Sequence, residues 1–264
     1  MCRFFYILLA LIPTLCLAEE TKPNLDDPAT RNAIVATALD REMMEEHSKQ
    51  GECLIYVKGS EAPYTGWVKE ADEVVLELYQ YKNGKAHGVQ IFWQRGSSAD
   101  WQKFSENNYK DGIEHGLHRD WFSTGDKYSD VYYKDGKEHG VSTLWYNDDD
   151  GQKSCEAHYK NGNLHGKYTH WGYDGQIEEI IYNNGLPYSA TIRTRDGAMC
   201  PFTNLKDGNG VLVEYHGRHG YQWYATHYRD GKKHGLETEF DSEGSITRQT
   251  RWENGEEVET IKSP

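Results

Sequence analysis

The chain has 264 residues, with 29 Lys plus Arg against 42 Asp plus Glu and a formal charge of −13. That balance argues against gripping a nucleic acid backbone or an anionic membrane surface, since both attract basic patches. Hydrophobic residues make up 37%, lean for a deep core, yet 19 Tyr, 8 Trp and 26 Gly are far from the aromatic-poor composition of disorder. A thin, turn-rich β structure is the expectation.

Residues 1–18 read as a secretory signal peptide. Arg3 gives a positive start, Phe4 to Leu17 is an uncharged apolar run, and the small residues Cys16 and Ala18 sit at −3 and −1 of a cut after Ala18. The run is shorter than the roughly 20 residues that span a bilayer. An uncleaved anchor and a lipid-modified Cys16 are the alternatives, the second weakened by Pro13-Thr14-Leu15, which lacks the small residue expected beside such a site. Cleavage would take the formal charge from −13 to −14, because Arg3 is the one charge removed. The expected location is periplasmic or extracellular. Cys53, Cys155 and Cys200 would then meet an oxidising setting, and an odd number leaves at least one unpaired within the chain.

Residues 19–27 are polar, contain Pro23 and read as a tether. The next segment, 28–50, is predicted as one helix. Asp27 suits the N-cap, Pro28 the first helical position and Gly51 the stop, while Ile34, Val35, Ala38, Leu39 and Met43 make an apolar stripe. The stripe is expected to cover the first exposed edge of the β structure after it.

From Gly51 onward the sequence repeats. Tyr-Lys-Asn-Gly-x-x-His-Gly stands at Tyr81 to Gly88, with close copies at Tyr109, Tyr133, Tyr159 and Tyr228 and weaker ones centred on Gly59, Gly185, Gly208 and Gly255. The period is about 24 residues, the mark of stacked repeats. After the second glycine the residues alternate with period two, as in Val89, Ile91, Trp93 and Val141, Thr143, Trp145, which describes a strand. A second turn comes at Gly125, Gly151, Gly175 or Gly244, and a return strand runs back to the tyrosine. The Asn-Gly or Asp-Gly step then reverses the chain. The fold class is therefore all-β: an elongated array of antiparallel β-hairpin repeats over 51–260, preceded by one N-terminal helix and followed by a tail at 261–264.

These copies resemble the variant MORN repeat of bacterial YwqK-like antitoxin proteins, over about residues 52–260. The resemblance implies an extended antiparallel sheet used for protein binding, with no catalytic residue to transfer. The unit at Gly185 departs from it: Pro187, Tyr188 and Ser189 replace the charged residue, the His and the second glycine. The next unit carries Met199-Cys200-Pro201-Phe202 on its return strand and a shortened Gly208-Asn209-Gly210. Residues 185–210 are thus predicted to be irregular, as a decayed repeat or as a bend or binding notch.

Three constellations suggest chemistry. His87, His115, His139, His165 and His234 recur like a metal ladder, but one repeat is about 10 Å and zinc needs ligand atoms about 2 Å away, so they are read as turn packing. Asn147 to Gly151 suggests a calcium loop, but the first and twelfth positions would be Tyr146 and Ala157, where carboxylates are needed. His216-Gly217-Arg218-His219-Gly220 lacks a nearby nucleophile. No catalytic, cofactor or metal residues are assigned, and the chain is read as no enzyme. The leading function is a protein–protein interaction scaffold, with an antitoxin or immunity protein as the alternative and a glycan-binding aromatic surface as a third class. An acidic chain suits a basic protein partner, and Asp148, Asp149, Asp150, Asp241 and Glu243, in projecting turns, are the candidate contact residues.

Overall fold

The computed structural model describes residues 22–49, 51–96, 100–148, 150–216 and 221–262. The signal peptide expected over 1–18, the start of the tether, Asp149, residues 217–220 of the histidine cluster and the last two residues lie outside them. Residues 22–37 and the chain from Ala38 onward are two separate units.

The first unit contains the helix Pro28–Thr37. Asp27 caps it as expected: its carboxylate accepts the Thr30 N–H at 2.9 Å and the Thr30 hydroxyl at 2.6 Å. The helix stops at Thr37, well short of residue 50. Met44–Lys49 instead pairs antiparallel with Glu52–Val57, from Met44 opposite Val57 to Lys49 opposite Glu52. Gly51, at φ +83°, therefore belongs to a hairpin turn rather than a helix stop. Cross-strand pairing and the burial of Met44 with Ile55 and Val68 outweigh a helical spacing that propensity supports only weakly. Between helix and hairpin, Leu39–Asp40 runs parallel to Val68–Lys69, so an extended segment meets the edge of strand Gly66–Ala71.

From there the chain is a meander. A thirteen-stranded sheet keeps chain order from Gly66–Ala71 to Leu186–Arg193, and a five-stranded sheet runs from Gly210–Tyr215 to Glu256–Lys262. The sheet is long, mostly antiparallel and not closed. Its last strand reaches Lys262, which places the first two residues of the expected tail inside the array.

Eight Asn or Asp residues, from Asn83 to Asn254, have φ between +49° and +54°, and each is followed by a glycine at φ +74° to +91°. Two successive positive φ values define the primed turn whose twist matches paired strands. The copy at Gly59 lacks this pair, and Glu52–Val57 does not form a hairpin with Gly66–Ala71.

The His-Gly step has its own role. Tyr81 faces Ala86 and Tyr79 faces Gln90, so the outgoing strand carries two extra residues at His87-Gly88. The same slip occurs at Tyr133 and Val131, Tyr159 and Ala157, and Tyr228 and Thr226. Where Pro187 to Ser189 or Glu257 to Glu259 replaces His-Gly, the slip shrinks to one residue. The second glycine, at φ +87° to +104° in the full copies, makes this bulge possible.

Successive turns are tied by backbone. The turn glycine N–H donates to a carbonyl two residues past the preceding turn glycine: Gly112 to Ala86, Gly136 to Glu114, Gly162 to Glu138, Gly185 to Leu164 and Gly255 to Lys233, at 2.7–2.9 Å. This ladder joins alternate hairpins along one edge, as a one-dimensional repeat requires.

The irregular stretch is shorter than expected. Leu186–Arg193 is a continuous strand with a one-residue slip, and only 194–209 lacks one. There Pro201 removes a donor, yet the Cys200 N–H still reaches Ile192 O at 2.9 Å and the Ala190 N–H reaches Leu205 O at 3.1 Å. Cys200 and Leu205 are buried with Ile180, Ile192, Leu212 and Val213. The stretch is a packed junction between the two sheets, with Phe202 turned outward at 64% exposure.

Candidate binding surfaces

Four of the five repeated histidines join neighbouring turns. His87 Nδ1 lies 3.1 Å from Asp111 Oδ1, and His115 Nδ1 lies 3.4 Å from Asp135 Oδ1. His165 and His234 accept the backbone N–H of Asn184 and Asn254, each at 3.4 Å. The imidazoles of His87, His115, His165 and His234 thus meet the next turn rather than the next imidazole, the role that the repeat spacing suggested, whereas His139 Nδ1 is buried without a hydrogen-bond partner among the described residues. Among the described residues, no three His, Cys, Asp or Glu side chains cluster as metal ligands.

The candidate acidic residues divide by role. Asp148 is half-buried, and its carboxylate accepts the Gln152 N–H at 3.2 Å. Asp241 accepts the Glu243 and Ser245 N–H groups at 2.9 and 2.8 Å. Asp72 and Asp174 organise equivalent turns. Asp150 and Glu243 are exposed and project beyond these caps. The two turns are not brought together, since the strands from Lys153–Lys160 to Lys232–Phe240 lie between them.

The tryptophans do not form an open stripe. Trp93 is sealed at 2% exposure. Arg95 lies 4.9 Å from the ring centre of Trp101, and Lys103 and Lys127 each lie 5.0 Å from Trp121 and Trp145. Lys103 also pairs with Glu106, and Lys127 with Asp130, both at 2.9 Å. The result is a recurring set of aromatic face, lysine and carboxylate. Sequence reasoning missed it, because lysine and indole lie on different strands and meet only once those strands pair.

Of the eight tryptophans, Trp223 alone is exposed, at 41%. It lies on a groove of about 370 Å³ over the five-stranded sheet, beside Tyr224, Glu214, Trp252 and Lys233. Lys233 sits 4.7 Å above Trp252 and pairs closely with Glu237. Glu214 is half-buried, and burial pushes its carboxyl above the usual range.

A second buried carboxylate, Glu178, lies at the junction of the sheets. It is 9% exposed and accepts the Tyr215 N–H at 3.2 Å and the Gln176 amide at 3.4 Å. Burial pushes its pKa up to about 7, and the Tyr215 N–H opposes the rise. His170 Nδ1 is 3.9 Å away, with its own pKa lowered by burial.

Cys53, Cys155 and Cys200 are free thiols. Among the described residues, no helix is long and apolar enough to cross a membrane. No protein-family model matches the chain, and no curated protein matches it.

Proposed function

We propose that this chain is an exported, non-catalytic repeat scaffold that binds a basic protein partner along its turn edges. The observation that carries this reading is how the repeated side chains are used. Asn-Gly forms the turn and His meets the next turn, while the tyrosines at the strand ends lose water: burial raises the pKa of Tyr81, Tyr109, Tyr133, Tyr159, Tyr182 and Tyr228. The side chains left facing solvent at the turn tips include the acids Asp150 and Glu243, on a chain of charge −13. Such a surface steers a basic protein toward it.

The resemblance to YwqK-like antitoxins favours a specific form of the same reading, in which the basic partner is a toxin and the array neutralises it. Co-expression with a neighbouring toxic gene product separates the two: rescue of growth marks an antitoxin.

The test of the charge uses Asp148, Asp149 and Asp150 changed together to Asn. Asn keeps an oxygen able to accept the Gln152 N–H, so the turn persists while three charges go. With a partner captured from extract and then purified, the association rate falls several-fold in this variant and at raised ionic strength. A rate indifferent to both rejects the electrostatic reading.

A further inference from the structure

The groove on the five-stranded sheet contains two aromatic–carboxylate sets. In one, Trp252 and Glu237 hold the ammonium group of Lys233. In the other, Trp223 and Tyr224 lie beside Glu214, with ring centres of the two aromatics 4.9 Å apart. Among the described residues, no lysine or arginine lies over Trp223 and nothing donates a hydrogen bond to the Glu214 carboxylate; Lys233, held by Glu237, acts on it only through its charge.

The other charges of the groove are engaged. The Tyr224 hydroxyl bonds Glu239, and the Arg248 guanidinium donates to Thr260 Oγ1 at 3.4 Å. Glu214 is thus a half-desolvated carboxylate without a donor, next to the one exposed indole of the protein. Leaving such a group unmatched is costly, and a cation over an aromatic face gains most when water is excluded. The molecule already fills this set of groups three times with its own lysines: Lys103 with Trp121 and Glu106, Lys127 with Trp145 and Asp130, and Lys233 with Trp252 and Glu237.

We propose that Glu214, Trp223 and Tyr224 form a receptor for a single basic side chain, a guanidinium or ammonium group presented by a protein partner. This deepens the basic-partner reading above, and adds a specific anchor to a long-range attraction. A neutral sugar would also stack on Trp223, but it would bring no charge to Glu214, which has only the distant help of a Lys233 already paired with Glu237. The size of the groove, about 370 Å³, is within the range of small-ligand sites.

The test uses small probes, so that it does not depend on finding the partner. Acetyl-arginine amide is titrated into the full chain and monitored by calorimetry and by the indole resonances in NMR. Its neutral isostere, acetyl-citrulline amide, and a chitin oligosaccharide serve as comparisons. The expected result is saturable millimolar binding of the arginine probe, with the citrulline probe at least tenfold weaker. The Trp223 indole should shift, and Glu214→Gln should weaken binding at least fivefold. Trp223→Leu, at an exposed position, serves as the second variant if Glu214→Gln perturbs folding. Equal binding of the two amides, tighter binding of the oligosaccharide, or wild-type affinity in either folded variant overturns the receptor. If the arginine probe binds as expected while partner association ignores salt and the Asp148–Asp150 change, the receptor stands and the charge-steering reading falls. If the steering holds while the probe fails, the steering stands and the receptor falls.

Discussion

Replacing Glu178 with Gln should make the protein more stable at neutral and alkaline pH. The carboxylate is 9% exposed, accepts the Tyr215 N–H across the sheet junction, and has its pKa raised from 4.5 to about 7, chiefly by burial. A carboxyl with a raised folded-state pKa favours folding when protonated. Its contribution is therefore complete below about pH 4.5 and is lost as pH rises through about 7. The rise from 4.5 to about 7 corresponds to roughly 3 kcal/mol between the two limits. Between pH 5 and pH 8 the loss is about 2.5 kcal/mol, because the unfolded carboxyl is already largely ionised at pH 5. Gln keeps an oxygen for the Tyr215 N–H and carries no charge, so the variant should lack this slope. His170 does not compensate, because burial lowers its pKa and it stays neutral where Glu178 ionises.

The assay is urea unfolding of wild type and Glu178→Gln at pH 5, 6, 7 and 8. Hydrogen exchange at the Tyr215 amide adds a local readout, since repeat arrays open in parts. The gap between the two proteins should widen by about 2 kcal/mol in favour of Gln from pH 5 to pH 8. Parallel pH profiles would show that Glu178 ionises freely, and the reasoning from burial would fail.

Two further outcomes test the architecture. Gly136→Val should cost more than about 1 kcal/mol in thermal unfolding, because φ is +76° there and the new Cβ would lie 3.2 Å from Ile113; an unchanged midpoint refutes the turn. Cys155 and the segment bearing Cys200 are separated by the strands Asn163–Trp171, Ile177–Asn183 and Leu186–Arg193, roughly 20 Å, where a disulfide tolerates about 7 Å. Mass spectrometry without reductant should find no Cys155–Cys200 linked peptide.

The turns were legible in the sequence because Asn-Gly and Asp-Gly carry their own conformation, whatever surrounds them. Strand alternation was legible for the same local reason. The helix end was not: Ala38 to Met43 spaces apolar residues helically, and only the partner strand Glu52–Val57 decides that the chain is extended from Met44. Leu186–Arg193 stays a strand despite Pro187 and Ser189, since the missing His-Gly merely shrinks a bulge. Asp148 and Asp241 looked like free charges, but a turn recruits its own Asp as a cap, leaving Asp150 and Glu243 exposed. The Glu214 groove and the buried Glu178 depend on contacts between strands, and no spacing along the chain encodes them.

A lean sequence can sustain so long an open sheet because each unit leans on its neighbours through groups that are not apolar. Turn glycines donate to the preceding turn, histidines meet the following one, and lysines lie across indoles that would otherwise need a deeper core. Every one of these links needs a neighbour, so the outer strands of a sheet face a problem that the inner ones do not. At the start, Leu39–Asp40 pairs along Gly66–Ala71, and the hairpin from Met44 to Val57 buries Met44 and Ile55 with Val68. Among the described residues, Glu256–Lys262 is an outer strand of the five-stranded sheet. It carries Glu256, Glu257 and Glu259, and a charged edge strand repels a second copy of itself that would otherwise extend the ladder. Acidic residues thus serve a structural end at this edge, a role that Glu214, half-buried on strand Gly210–Tyr215 at the opposite side of the same sheet, does not share.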